Sequence, residues 1–341
     1  MGESAMVVVG KHREVLSLHF HRLISISLAV GFLVCVCVFP AVGQDDDDVG
    51  RGPTLGEVTV QHLRVGIVVT ADQGPCRGIV GTTPVPIDWP EQEVQIIDED
   101  ISPFVDRVSY RLLAGGTVKQ MVVKINQLPR GSEAHAILTF EIRRRALLPP
   151  EETNDLIVSP RRKLDRTVSV YLTPSKGIES TNRRIKNLAK EAVAGTDGAW
   201  QQVEAIYDRV RETIEYRNGP FKGALRALKD GYGDCEELSS LFIAMCRAEH
   251  IPARTVWVPG HCYPEFYLQD AEGHGGWFPC QAAGSRSFGG MQESRPILQK
   301  GDNFRDKDRP REAQRYVSEF LTGAGGKPKV KFIRETVAAD Q

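Results

Sequence analysis

Two hydrophobic rhythms divide the chain. From residue 57 to 175 apolar positions tend to alternate with polar ones. Ala136, Leu138, Phe140 and Ile142 do so clearly, as do Val58 and Val60 and the run Ile67-Val68-Val69. A period of two predicts half-buried strands, and Val168, Val170 and Leu172 continue it. Gly74-Pro75, Pro84-Val85-Pro86, Ala114-Gly115-Gly116 and Pro149-Pro150 supply turns between them. This part reads as an antiparallel β-sandwich-like domain. After Ser175-Lys176-Gly177 the period lengthens. Ile185, Leu188, Ala189 and Ala192, then Trp200, Val203, Ile206, Tyr207, Val210 and Ile214, recur at helical spacing. A further helix opens at Asp234, a β-like segment covers 255–281, and a short helix over 313–321 and a last strand over 330–337 complete the pattern. The expected fold class is α+β.

The extreme N-terminus follows neither rhythm. Lys11, Arg13 and Arg22 precede an uncharged apolar run over 23–39, and small residues flank a cut before Gln44. That is the layout of a secretory signal peptide over 1–43. The run is shorter than the roughly 20 apolar residues of a spanning helix, so cleavage leaves no stable membrane span. The expected localisation is exported, periplasmic or extracellular. An acidic flexible segment over 44–56, with four consecutive carboxylates at Asp45 to Asp48, comes next. Consecutive carboxylates lack the spacing of a calcium loop.

Charge narrows the partners. A formal net charge of −1 leaves no global basic field, so no nucleic-acid partner is expected. The runs Arg143-Arg144-Arg145 and Arg161-Arg162-Lys163 read as solvated strand ends or turns. Processing leaves Cys76, Cys235, Cys246, Cys262 and Cys280, an odd number, so at least one thiol is unpaired in the monomer.

The chemistry concentrates in GYGDCEELSSLFIAMCRAEHIPAR, which starts at Gly231. Asp234 and Glu237 have the spacing of a capping box, which puts Cys235 at the first helical position. Cys246 shares the apolar face with Leu238, Leu241, Phe242 and Met245 and reads as a small buried hydrophobe. Cys235 instead stands where free N–H groups and the helix dipole favour a thiolate, the competent nucleophile. Three downstream histidines could serve it. His250 ends the same helix, too far away to reach. His274 lies in a Gly-rich turn, and His261 opens a β-like segment after Pro259-Gly260. Cys235 and Cys246 are too distant on one helix to share a metal and no CxxC pair exists, so neither metal nor cofactor is expected.

The stretch GDCEELSSLFIAMCRAEHIPARTVWVPGHCYPEFYL, with the later GWFPCQ, resembles the core of transglutaminase-like (papain-like) cysteine enzymes of the bacterial exported type. Cys235, Ile251-Pro252-Ala253-Arg254, the run from His261 to Glu265, and Gly276-Trp277 carry the resemblance, over roughly 189–284. It implies a transglutaminase-like core with a C-terminal extension over 176–341, with a nucleophile helix packed on an antiparallel sheet. It implies Cys235 as nucleophile and His261 as general base, acting by acyl transfer or hydrolysis on a protein or peptide substrate. Where the family has Asp, this chain has Gln281, which can orient an imidazole but carries no charge. Asp270, Glu265 or another acid could take that part instead. A catalytically inactive binding module is the alternative reading. If His261 faces Gln281 across antiparallel strands, Cys262 faces Cys280 and the turn centres on Ala271, which predicts a Cys262–Cys280 disulfide or at least a close contact. Pro264 within the strand could shift that register.

Overall fold

A computed structural model describes residues 52–305 and 313–337. The expected signal peptide and most of the acidic segment lie outside the described residues. The chain begins with β1 (Thr54–Thr70), β2 (Cys76–Val85), β3 (Gln92–Ile101), β4 (Arg107–Leu113), β5 (Val118–Leu128) and β6 (Glu133–Leu148). Strict alternation sends Leu63, Val65, Ile67 and Val69 of β1, with Ala136, Leu138, Phe140 and Ile142 of β6, into one apolar core shared with Ile79, Met121, Val123 and Ile125.

Residues 166–172, expected as strand, form a helical turn α1 (Arg166–Ser169) followed by a 3-10 turn. Asp165 decides this locally: its carboxylate accepts from the Thr167 N–H at 2.7 Å and starts a helical turn where a strand would need an extended residue. Then come α2 (Arg183–Ala192), α3 (Ala199–Thr213), β7 (Glu215–Tyr216), α4 (Ala224–Asp230), β8 (Tyr232–Gly233) and α5 (Cys235–Ala248). The helical rhythm holds in α2 and α3. Ile185, Ala189, Trp200, Val203, Ile206, Tyr207 and Val210 all turn inward around α5.

The rest is β: β9 (Ala253–Val258), β10 (His261–Gln269), β11 (Gly275–Pro279), β12 (Gln299–Lys300), β13 (Phe304–Arg305), β14 (Ala313–Gln314), β15 (Phe320–Gly325) and β16 (Lys329–Val337). The helix expected over 313–321 is absent. Its apolar positions serve β14, the buried Val317 and the edge strand β15, which pairs with β2; tertiary pairing overrides local preference there. The last strand stands as expected.

Two main antiparallel sheets result. One runs β16-β1-β6-β3; the other runs β11-β10-β9-β12-β5-β2-β15, with β4 also on β5. The second sheet is continuous. β12 bonds to β9 through Gln299–Trp257 and to β5 through Gln299–Val118, so strands from before and after the helices share one ladder. One face of β9, β10 and β11 packs under α5 through Phe242, Met245, Phe266 and Phe278. The other face carries a buried charge network. Glu265 pairs with Arg254 and, at 3.0 Å, with Lys300; Lys300 reaches Glu91 at 2.7 Å, and Arg144 stands 3.4 Å from Glu91. Arg144 was expected to be solvated. It is 1% exposed, because β6 passes over the sheet and its guanidinium meets Glu91 and the Tyr263 hydroxyl. Three cations against two carboxylates leave one excess positive charge. Aromatic faces take part of it: Arg254 lies 3.9 Å from the Trp277 ring centre and Lys300 5.0 Å from that of Trp89.

Candidate active site

The capping box forms as the sequence spacing requires. Asp234 accepts from the Glu236 N–H at 2.9 Å, and Glu237 folds back to the Asp234 N–H at 3.1 Å. Glu237 also accepts from the Lys222 N–H at 2.8 Å, which ties the preceding loop to the helix start. Gly233 makes this possible: a Cβ there would overlap the Glu237 side chain. Gly233→Ala is therefore expected to cost about 1–2 kcal/mol, a cap's worth. At roughly 2–4 °C per kcal/mol that is a Tm loss of several degrees, read by calorimetry.

The two cysteines of α5 diverge as their positions demand. Cys246 is fully buried, and burial pushes its thiol well up. Cys235 is half-buried and its thiol is held down at about 5. The leading cause is the Cys262 thiol, which donates to the Cys235 sulfur. Burial works against it; a hydrogen bond to His261, the Cys262 backbone N–H and the imidazolium charge add to it. An anionic sulfur is the outcome.

His261 is placed by a tight hairpin. β9 and β10 pair Val258 with His261 across Pro259-Gly260, and Gly260 takes a φ of +69° that a side chain would resist. The ring Nε2 lies 3.1 Å from Gln281 Oε1. An amide oxygen only accepts, so Nε2 carries the proton and Nδ1 is the nitrogen left for the thiol. Burial alone would lower the His261 pKa, but hydrogen bonds to Cys235 and Gln281 and the thiolate charge outweigh it, and the net shift is upward. The shifts of sulfur and imidazole thus agree on an ion pair.

Gln281 follows β11 and is pinned from its backbone. Its N–H donates to the Ser287 carbonyl at 2.8 Å, while its carbonyl accepts from the Tyr207 hydroxyl at 2.8 Å and from Arg211 at 3.1 Å. Helix α3 therefore holds the amide that holds the imidazole. Neither acid considered as a substitute is in place. Glu265 belongs to the charge network, and Asp270 caps the β10–β11 turn, where it meets His274 at 3.2 Å. His250 sits just past α5. Glu293 and Arg295 pair with each other beside His261 and Cys235, a neighbour pair without a sequence signal.

The expected register is corrected by two residues. Glu265 faces Pro279, Phe266 faces Phe278 and Tyr267 faces Trp277, so the turn centres on Glu272. An even shift keeps every side chain on its predicted face. It removes the Cys262–Cys280 pairing, and all five described cysteines are free. Pro264, which has no N–H to donate, instead accepts from the Cys280 N–H at 3.0 Å. Cys262 turns under α5, with its sulfur 3.8 Å from Ser239 Oγ and in contact with Cys235.

A cleft of about 520 Å³ opens beside Gln281. Leu147, Pro149, Phe288 and Met291 give it an apolar wall, and Glu293 and Ser294 a polar one. Among the described residues no three His, Cys, Asp or Glu side chains gather as a metal site, and no helix is long and apolar enough to cross a membrane.

Comparison with known proteins covers the same region of the chain. Residues 186–282 match the model of the transglutaminase-like superfamily. No curated protein sequence matches the chain. A solved structure from Cytophaga hutchinsonii, named "Putative Cysteine Protease", superposes with a TM-score of 0.56 at 17% identity, over 84% of this chain and 94% of that one, and shares the fold. Another from Parabacteroides distasonis, named "Putative Protease", gives a TM-score of 0.26 at 14% identity, over 72% of this chain and 49% of that one. The helix start that bears Cys235, the strand that bears His261 and the segment that bears Gln281 all fall inside residues 186–282, the region that matches the transglutaminase-like superfamily.

Proposed function

We propose that the protein is an exported cysteine-dependent amide hydrolase or acyltransferase acting on protein or peptide substrates. The observation that carries this reading is the contact chain Cys235–His261–Gln281, with an acidic thiol at its head. Cys235 attacks an amide carbonyl, and the thiolate needs no base at that moment. The His261 imidazolium then protonates the leaving amine, and as neutral imidazole it activates the incoming water or amine. In this reading backbone N–H groups near the start of α5 stabilise the oxyanion. Gln281 keeps the ring in the tautomer this needs. A neutral amide fills the same position in the Cys-His-Asn set of papain-like proteases, so loss of the carboxylate is compatible with turnover. The name of the Cytophaga hutchinsonii structure is in keeping with hydrolysis.

The second reading, a non-catalytic binding module, draws on the missing third charge at Gln281. The pH-rate profile of Cys235 alkylation separates the two. A midpoint near 5 is expected for the enzyme. An ordinary midpoint near 8.5 for Cys235 would favour the module. Export is tested by intact mass: the mature chain should begin at Gln44.

A further inference from the structure

Cys262 is not used by the mechanism above, yet its sulfur meets the nucleophile. Ser239 stands four residues after Cys235 on α5, so the two share one helix face. The Cys262 sulfur lies 3.8 Å from Ser239 Oγ, and both its thiol and its backbone N–H reach the Cys235 sulfur. Cys262 is 2% exposed, whereas Cys235 is half-buried. Burial also encloses Cys76, Cys246 and Cys280, which leaves Cys235 as the least buried of the described cysteines. A half-buried, anionic sulfur beside a second, fully buried thiol is the arrangement of a peroxide-sensitive pair.

We propose that Cys235 and Cys262 form an oxidisable dithiol, in which a peroxide oxidises Cys235 and Cys262 closes the product to a disulfide that reversibly switches the site off. This rests on the reading of Cys235 as an activated thiolate. The Cys235 sulfur attacks one peroxide oxygen and the O–O bond breaks. The departing oxygen takes the proton of the His261 imidazolium and leaves as water or an alcohol, so Cys235 becomes a sulfenic acid. The thiolate charge that held the Cys262 proton is now gone, and neutral His261 stands beside it as a base. Cys262 loses its proton and attacks the Cys235 sulfur. The S–O bond breaks, water leaves and the S–S bond forms. Two electrons pass from the two sulfurs to the peroxide, and each peroxide consumes one dithiol.

The test treats the purified full chain with about one equivalent of hydrogen peroxide and maps its peptides without reduction. The alkylation profile of Cys235 and the turnover of a peptide substrate are measured on the same preparation. The expected result is a chain lighter by two hydrogens, a linked pair of peptides bearing Cys235 and Cys262, and recovery of both thiols with dithiothreitol. Cys262→Ser, with Cys262→Ala as a second variant, should accumulate Cys235 sulfenic acid trapped by dimedone, roughly tenfold above the parent. Over-oxidation of Cys235 to sulfinic acid at equal rates in parent and variants would overturn the proposal. So would a bridge from Cys235 to any other cysteine. A low alkylation midpoint without the 235–262 link sinks the dithiol and leaves the enzyme standing. The link without turnover leaves the dithiol standing and sinks the enzyme.

Discussion

His261→Ala is expected to lower peptide turnover by about a thousandfold or more, the range of a lost general acid–base. The leaving amine then has no proton donor, and the incoming nucleophile no base. The thiol should respond less than the turnover does. Cys262 is the leading cause of the low Cys235 pKa, ahead of His261, so the alkylation midpoint should rise from about 5 yet stay below that of a free thiol near 8.5. A full return to 8.5 would show that Cys262 contributes nothing. In the parent protein the pH profile of turnover should be bell-shaped. Activity rises with pH through about 5, as Cys235 ionises. It falls again above the ordinary His value of 6.5, because the raised His261 pKa keeps the imidazolium charged beyond that point. Gln281→Ala should act mainly on the alkaline limb: without the amide that stabilises the charged ring, the limb moves down in pH.

Glu91→Ala is expected to cost about 3–5 kcal/mol, a large share of the roughly 5–15 kcal/mol that holds a domain together. Glu91 is the partner of Arg144 and Lys300, and both are almost fully buried. Lys300 would retain Glu265, but Arg144 would keep only the Tyr263 hydroxyl. An uncompensated guanidinium in the interior is the expensive outcome, so Glu91→Gln, which keeps hydrogen-bonding capacity, should lose less. The pH dependence has a definite sign. Burial opposes ionisation of Glu91, yet Lys300 and Arg144 bring its pKa from the ordinary 4.5 down to about 2. A depressed carboxylate stabilises the fold above its unfolded value and loses that contribution as pH falls through the folded one. Chemical denaturation between pH 5 and 2 should therefore show a decline in the parent that the alanine variant lacks. Equal slopes would mean that Glu91 does not carry the effect.

What the sequence disclosed was the local part of the site. Asp234 and Glu237 specify a helix start by spacing alone, and the contrast between Cys235 and Cys246 follows from their positions on that helix. His261 and Gln281 could be paired through the hairpin logic, since each strand face was read correctly. The register itself depended on how Pro264 is accommodated, which no alternation pattern encodes. Cys262 was assigned to Cys280 for that reason, and its contact with the nucleophile was missed. A hint lay in its place immediately after His261, on the strand face that packs under α5. The burial of Arg144 is hidden because its partners Glu91 and Tyr263 are remote in sequence, and charge alone argues for solvent. The continuity of the large sheet was equally hidden, since β12 is two residues long and has no periodicity to detect.

That ladder has a consequence for the order in which the molecule is built. β5 pairs with β12 and β2 with β15 in that ladder, and β1 pairs with β16 in the other sheet, so residues near position 60 wait for residues beyond 300. Pairings of such long sequence separation are slow to close and leave open strand edges in the meantime. During synthesis every residue of the Cys235–His261–Gln281 set emerges before the strands that complete the sheet beneath it. Nascent chains halted near residue 290 should therefore be sensitive to protease and unreactive in active-site labelling, and reactivity should appear only once β12 and β15 are available. The nucleophile is thus made early and armed late.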